Sequence, residues 1–393
     1  MATTTTLILG AGFGGIATAN ALRRQLPPEH RVVLIDMAPT FHIGACKPWV
    51  MLGQKTLTEI SHSREALKGR AMELVQADVR QINLAQGEVV TDRGAQRGDY
   101  LVIALGADYD MAAIPGLEGT AHEFYTLEGA ARLSEALRVF SQGDVIVLVP
   151  RAPFKCPPAP YEVAMLMHHA FKERGVRDNV RIALYTVEGA PMATAGADMS
   201  SLIREQLASR GIAYHPGKKA SGVDGERRTV KFDDGNEAHF DLLVSVPPHV
   251  APKVVRDAGL TNQSGWIPAD PKTLKVTRES AFQAVYAIGD VSVVPLPGRH
   301  KPDVPLVLPK AGTIAEGQGK AVASQIAAEV LGRPAETFGG VGTCYIETGG
   351  QQAVKGEGQF YVLPHPVMRA TPPDRAQYEG KLAWISDWLR ANL

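Results

Sequence analysis

The sequence predicts an α/β fold built from two Rossmann-like dinucleotide-binding domains, the first of them discontinuous, plus a C-terminal layer. Three observations predict it. A short apolar strand near the N-terminus runs straight into a glycine-rich loop and a helix. A second apolar strand, Asp144 to Val149, opens the middle of the chain. A third, Ala284 to Ile288, ends in Gly289-Asp290 far downstream, where the first domain would be completed. Alternation of buried strands with helices builds parallel sheets covered on both faces. We assign residues 1–108 and 250–330 to the first domain, 109–249 to the second and 331–393 to the C-terminal layer. Pro115-Gly116 and Pro247-Pro248 mark the crossovers.

The N-terminal strand is Thr6-Leu7-Ile8-Leu9, followed by Gly10-Ala11-Gly12-Phe13-Gly14-Gly15 and a helix from Ile16 to Arg24. Gly10-x-Gly12-x-x-Gly15 is the dinucleotide fingerprint in the strand–loop–helix setting it requires. The first glycine permits the tight turn, the second lets backbone approach a pyrophosphate, and the third allows close helix–strand packing. Unpaired N–H groups at the helix N-terminus then face the phosphates. The next strand, Arg31 to Ile35, ends in Asp36, about twenty residues past the glycines, where an acid accepts hydrogen bonds from an adenosine ribose.

Composition narrows the function. With 393 residues the chain can build two or three cores. Its 41 basic and 41 acidic residues cancel, so no nucleic-acid partner is expected, because such proteins carry a basic excess. No run of about 18 apolar residues occurs, so no transmembrane helix is expected. No basic and apolar leader with a cleavage site precedes the first strand. The expected location is the cytoplasm or the cytoplasmic membrane surface, and the periplasm if a leader has been removed. The three cysteines, Cys46, Cys156 and Cys344, are too few for a disulfide scaffold and sit in neither a CxxC nor a histidine cluster, so no metal site is expected.

The fingerprint alone does not choose between FAD and NAD. Tyr100 to Ala107 is a strand ending in a small-residue turn, and Ala284 to Asp290 is a strand ending in Gly-Asp. These resemble the two segments that bracket FAD in the two-dinucleotide-domain disulfide reductase superfamily. The resemblance implies FAD in the first domain, with Ala104, Gly106 and Gly289 against it and Asp290 at its ribityl–phosphate part. That superfamily carries a second glycine fingerprint, for NAD(P)H, in its middle domain. Here the strand Asp144–Val149 is followed instead by Pro150-Arg151-Ala152-Pro153-Phe154-Lys155-Cys156-Pro157-Pro158-Ala159-Pro160-Tyr161-Glu162, and no glycine occurs between Gly143 and Gly175. Proline has no N–H to offer a pyrophosphate, so this domain is expected to bind no nicotinamide nucleotide.

Phe154 to Glu162 resembles the active-site loop of the flavoprotein subunit of flavocytochrome c sulfide dehydrogenase. Ala258-Gly259-Leu260-Thr261-Asn262 with Gly265-Trp266, Pro309-Lys310-Ala311-Gly312 with Gln318-Gly319-Lys320, and Thr343-Cys344-Tyr345 resemble further segments of that family, along nearly the whole chain. Sulfide:quinone oxidoreductases are close relatives with the same two cysteine positions. The resemblance implies a redox disulfide between Cys156 and Cys344 beside the flavin, attacked by sulfide, with Glu162 as the acid or base near the pair. Such exchange needs a thiolate, a resolving sulfur and an electron sink. Cys156 lies in a proline-rich loop, a poor setting for a mere core residue. The implied acceptor is a quinone, or a separate c-type cytochrome, since no CxxCH occurs in this chain. Two other readings stay open: a type II NADH:quinone oxidoreductase, and a non-catalytic flavin-containing subunit that carries sulfur or assists assembly.

Three further expectations follow. In the resembled family a cysteine near position 46 holds FAD covalently; Cys46 is about one residue out of register with it, so the bond is left open here. Lys310 and Gly312 precede a helix expected over about 313–331, whose positive N-terminus would face the flavin and stabilise negative charge on it. The last segment, 378–393, is an amphipathic helix carrying Leu382, Trp384, Ile385, Trp388, Leu389 and Leu393 on one side; its tryptophans suit peripheral membrane contact or packing on the domain or a partner. His42 reads as a packing residue. The oligomeric state, a homodimer among the options, is not read from the sequence.

Overall fold

The computed structural model describes residues 4–393. The chain opens with β1 (Thr5–Leu9), α1 (Phe13–Gln25), β2 (Arg31–Asp36), β3 (Glu73–Gln76) and β4 (Tyr100–Ile103). β1 pairs in parallel with β2 (Thr6 opposite Val32) and with β4 (Leu9 opposite Ile103). Leu7, Ile8 and Leu9 are wholly buried, as the central strand of a sheet covered on both faces requires.

The middle of the chain builds a second parallel sheet from β5 (Gly143–Val149), β6 (Val180–Thr186), β7 (Ile212–His215) and β8 (Leu242–Ser245), with α2 (Ala159–Glu173) between β5 and β6. The strand order is β7-β6-β5-β8. The chain enters and leaves this unit through a two-stranded antiparallel ribbon, Asp108–Tyr109 against His249–Val250. It then returns to the first sheet with β9 (Ala284–Ala287), which pairs in parallel with β4. The first sheet therefore reads β9-β4-β1-β2-β3, assembled from both ends of the first 290 residues.

α3 (Gly312–Leu331) lies across α1 at very short range. A Cβ on Gly319 would stand 2.5 Å from the Gly14 carbonyl oxygen, so only glycine lets the two helices cross there. The C-terminal layer is an antiparallel sheet of β10 (Val341–Gly349), β11 (Gln352–Gln359) and β12 (Val367–Asp374), closed by α4 (Arg375–Asn392). α4 starts three residues earlier than the sequence predicts, because the Asp374 side chain accepts from the Ala376 and Gln377 N–H groups and caps it.

The tail helix packs on the first domain. Ile385 and Trp388 are buried. Trp388 packs 4.6 Å from the Phe13 ring and 4.8 Å from Phe41, and Trp384 stacks on Phe13 at 6.1 Å. Trp388 Nε1 donates to Glu316 on α3 at 3.0 Å. Of the alternatives left open, packing on the domain is the one these contacts show: Ile385 and Trp388 are covered by the first domain, while Leu382 stays exposed. Among the described residues no helix is long and apolar enough to cross one.

Candidate functional site

Each parallel sheet has one point where the strand order reverses, between β1 and β4 in the first and between β5 and β8 in the second. Loops leaving the carboxyl ends of such strands diverge and open a crevice. Both crevices feed one cavity of about 1280 Å³, larger than a drug-sized pocket needs.

The first crevice is a dinucleotide cradle. Gly10 has φ +95°, and a Cβ there would lie 2.4 Å from the Ala104 carbonyl oxygen. A Cβ on Gly15 would lie 1.8 Å from the Gly10 oxygen, so this glycine packs helix on loop and does not reach the cavity. Gly12 lines the cavity with no protein atom within 4 Å of its Cβ position, which leaves backbone room for a phosphate. α1 begins there with no side-chain cap and no acid in its first turn, and so does α3 at Ala311. Two positive helix ends with free N–H groups meet the same space. Gly14 and Gly312 pack tightly, Gly14 on Ile288 and Gly312 on the Phe13 ring. Phe13, Ala104, Gly106, Gly289, Asp290 and Gly312 complete this wall. A flavin dinucleotide fits this donor set.

Two of the expected residues also have partners within the protein. Asp36 lines the cavity, but its carboxylate already accepts the Ala11 N–H at 2.6 Å, the Ala38 N–H at 2.8 Å and Arg64 Nη1 at 2.8 Å. Arg64 also binds the Ala11 carbonyl oxygen at 2.9 Å. This pair braces the glycine loop, and no sequence motif announced Arg64. Lys310 donates its ammonium to the carbonyl oxygens of Asp290 (2.6 Å) and Ser292 (2.8 Å), over the Trp266 ring at 3.7 Å. Burial lowers its pKa to about 8. Lys310 therefore holds the Gly289–Asp290 turn in place, and the helix N-terminus beside it carries the positive end.

The second crevice holds the proline-rich loop. Cys156 has φ +55°, a left-handed conformation that costs a non-glycine residue of order 1–3 kcal/mol and that the surroundings must enforce. The Cys156 N–H donates to the Lys310 carbonyl oxygen at 2.7 Å, and its own carbonyl accepts from Ala159 at 2.9 Å. The loop is thereby tied to the segment that starts α3. Cys344 sits in β10, opposite Gly356 of β11. Thr313, in the first turn of α3, fixes this strand by a hydrogen bond from its hydroxyl to the Thr343 carbonyl at 2.8 Å.

Cys156, Cys344 and Glu162 all line the cavity, and all three cysteines are free thiols. Cys156 is open to the cavity yet walled closely by protein. Burial first, then the Glu162 charge, pushes the pKa of each of the two thiols up to about 12. The Cys344 charge adds to the effect on Cys156. Glu162 is itself pushed up by burial, against the pull of Lys381. The sequence gave no signal for Lys381 or for Glu347, which meet Glu162 only through the fold.

Cys46 is placed elsewhere. Its neighbours Ala45 and Lys47 line the cavity, whereas Cys46 is packed in the core of the first domain. Burial pushes its pKa up to about 11. His42 lines the cavity, and burial with the Lys47 charge lowers its pKa to about 3, so it is neutral.

In the second domain Tyr161 is fully buried and donates its hydroxyl to Glu188 at 2.6 Å. Glu188 stands just beyond β6, as Asp36 stands at the end of β2. Glu188, the acid in the position where a nucleotide ribose would be held, is thus already bonded within the protein.

Comparison with known proteins agrees with this layout. Residues 4–147 match the pyridine nucleotide-disulphide oxidoreductase family model. Residues 130–247 match the model for the central domain of the sulfide dehydrogenase (flavocytochrome c) flavoprotein chain. The chain is 25% identical to the mitochondrial sulfide:quinone oxidoreductase of Mus musculus over 301 residues, 74% of this chain and 66% of the mouse protein. It is 25% identical to the sulfide-quinone reductase of Aquifex aeolicus over 338 residues, 84% of this chain and 77% of that one. The solved structure of the Aquifex aeolicus sulfide:quinone oxidoreductase superposes with a TM-score of 0.87 at 22% identity, covering 98% of this chain and 90% of that one. The chain is thus similar, in its two matched family models and in its curated relatives, to the flavoproteins of flavocytochrome c sulfide dehydrogenase and to the sulfide:quinone oxidoreductases, and it shares the fold of the latter.

Proposed function

We propose that this protein oxidises sulfide, or a closely related small sulfur nucleophile, at a Cys156–Cys344 disulfide and passes the electrons to a quinone. One observation carries the reading: two thiols from different layers of the molecule, with one buried carboxyl acting on both, stand on the wall of a dinucleotide cavity. The names of the relatives support sulfide as donor and quinone as acceptor. A c-type cytochrome is the second choice of acceptor, suggested by the central-domain family.

The chemistry assigned to the chain is exchange at sulfur. Hydrosulfide attacks one sulfur of the disulfide; the S–S bond breaks, a persulfide forms on one cysteine and the other leaves as thiolate. A second hydrosulfide takes the outer sulfur away as hydrogen disulfide and leaves both cysteines reduced; FAD, when bound, would supply the two-electron sink for re-forming the disulfide, with one proton released. The free helix N-termini of α1 and α3, the Gly12 loop and the Asp290 turn would hold it, without a covalent link, because Cys46 is packed away from the cavity. Glu162 takes or returns the proton at the thiols. The prolines at the second crevice and the engagement of Glu188 by Tyr161 argue against NADH as donor.

The deciding experiment is anaerobic stopped-flow absorbance of the flavin-loaded protein, mixed separately with sulfide and with NADH. Bleaching by sulfide alone is expected. Bleaching by NADH alone would overturn the proposal in favour of a type II NADH:quinone oxidoreductase. Bleaching by neither would favour a flavin-containing carrier or assembly subunit.

A further inference from the structure

Next to the two thiols, three charged side chains are packed together almost without solvent. Glu162 on α2, Glu347 on β10 and Lys381 on α4 have side chains 5%, 7% and 0% exposed. They do not share charge evenly. Lys381 Nζ is 2.5 Å from Glu347 Oε1 but 3.5 Å from Glu162 Oε1. Trp49 Nε1 donates to the same Glu347 oxygen at 2.9 Å. Glu162 receives the Glu347 backbone N–H at 2.8 Å, and its charge acts on both Cys156 and Cys344. Cys46 and Tyr378 stand around the Lys381–Glu347 pair, and Asp290 acts on Cys156 from the opposite wall. The single ammonium is closest to Glu347 but also pairs with Glu162, and two carboxyls sharing one ammonium carry an excess negative charge when all are ionised. A buried carboxylate that shares its cation with a nearer carboxylate holds a proton more strongly than one paired alone.

We propose that Lys381 and Glu347 are positioning residues that act through Glu162: by binding each other they leave Glu162 as the proton acceptor for the Cys156 and Cys344 thiols. Its catalytic consequence rests on the sulfide-oxidation reading; the proton equilibrium does not. In the step, a cysteine S–H bond breaks and a Glu162 O–H bond forms, giving thiolate and neutral carboxyl. One negative charge leaves oxygen and one appears on sulfur, so the buried site gains no net charge. The Glu162 charge is also a cause of the raised thiol pKa values, and protonating Glu162 removes it at the moment the thiolate forms.

The arrangement makes an asymmetric prediction. Glu347→Gln frees Lys381 to pair with Glu162, which then becomes a weaker base. Lys381→Met leaves Glu162 beside an uncompensated Glu347, which makes it a stronger one. The measurement is an infrared titration of the carboxyl C=O band in the flavin-loaded protein, with Glu162→Gln used to identify that band. Iodoacetamide alkylation of Cys156 and Cys344 against pH, read by mass spectrometry, runs in parallel. The Glu162 midpoint is expected to fall in Glu347→Gln and rise in Lys381→Met, each by on the order of one pH unit, with Lys381→Arg close to wild type. Loss of packing alone does not move a midpoint in opposite directions. Shifts of the same sign, or unmoved midpoints, overturn the proposal. If Lys381→Met does not fold, the sign in Glu347→Gln decides by itself. Should sulfide fail to bleach the flavin, the reading of the function fails while these midpoints still stand or fall on their own.

Discussion

The Tyr161 hydroxyl donates to the Glu188 carboxyl across 2.6 Å, inside a domain whose strands are arranged to bind a nucleotide. In a working site of this kind an acid at the end of the second strand takes ribose hydroxyls. Here the acid takes a tyrosine from the adjoining helix, and a proline-rich loop replaces the glycines. The domain keeps its architecture and gives its crevice to Cys156.

That hydrogen bond has a pH signature. Burial raises the Glu188 pKa to about 7 from an ordinary value of 4.5. The folded state therefore binds more protons than the unfolded state between about pH 4.5 and 7. The stability this group contributes is complete below 4.5 and is lost as pH rises through 7. Glu188→Gln, which still accepts from Tyr161, is expected to stabilise the protein by up to about 3 kcal/mol at pH 8 relative to its effect at pH 4.5. Thermal unfolding of the two proteins across this range checks it.

Cys156→Ser and Cys344→Ser are each expected to slow sulfide-dependent flavin bleaching by about a hundredfold or more. The double variant should be no slower than either single one, because the two sulfurs act as one unit. Neither change touches the glycine cradle, so the flavin spectrum and content should be retained.

Cys46→Ser is expected to keep its full flavin content, since the thiol is packed in the core away from the cavity. Acid precipitation of the unsubstituted protein should release all flavin into the supernatant. Burying a hydroxyl at this position should cost about 1–3 kcal/mol of stability. Flavin retained in the pellet, and lost from it in the variant, would falsify this assignment.

Gly12→Ala and Gly15→Ala separate cofactor room from packing. Nothing in the protein lies within 4 Å of a Cβ at Gly12, so stability should change by less than about 0.5 kcal/mol while bound flavin falls at least about tenfold. At Gly15 the Cβ would meet the Gly10 oxygen at 1.8 Å, and a further loss of about 1–3 kcal/mol in folding is expected. Flavin titration with urea unfolding of the apoprotein distinguishes the two.

The cradle was legible in the sequence because its chemistry is local. Gly10, Gly12 and Gly15 act through backbone geometry that their own spacing sets, and Gly289-Asp290 follows directly from a strand. The Cys156 loop was legible because prolines stood where glycines belong. The parts that were not legible meet across the fold. Arg64 reaches Asp36 from a short helical turn with no motif, Glu347 lies in a strand three residues past Cys344, and Lys381 reads as an ordinary surface lysine on an amphipathic helix. Lysine is almost never fully buried unless paired, and its partners are not its sequence neighbours. The tail tryptophans left their partner open for the same reason: periodicity shows that one side of the helix is apolar, not what covers it.

The tail helix α4 is fastened at both ends. Lys381 near its start is paired beside the thiols, while the buried Asn392 at its end takes a hydrogen bond from Asn20 on α1, and Arg70 binds the Ala391 carbonyl. Losing the last dozen residues would remove Trp384 and Trp388 from against Phe13 and unpin the helix that presents the glycine loop. A premature stop codon or a protease cut there would be seen first as colourless protein, and only secondarily as a shorter one.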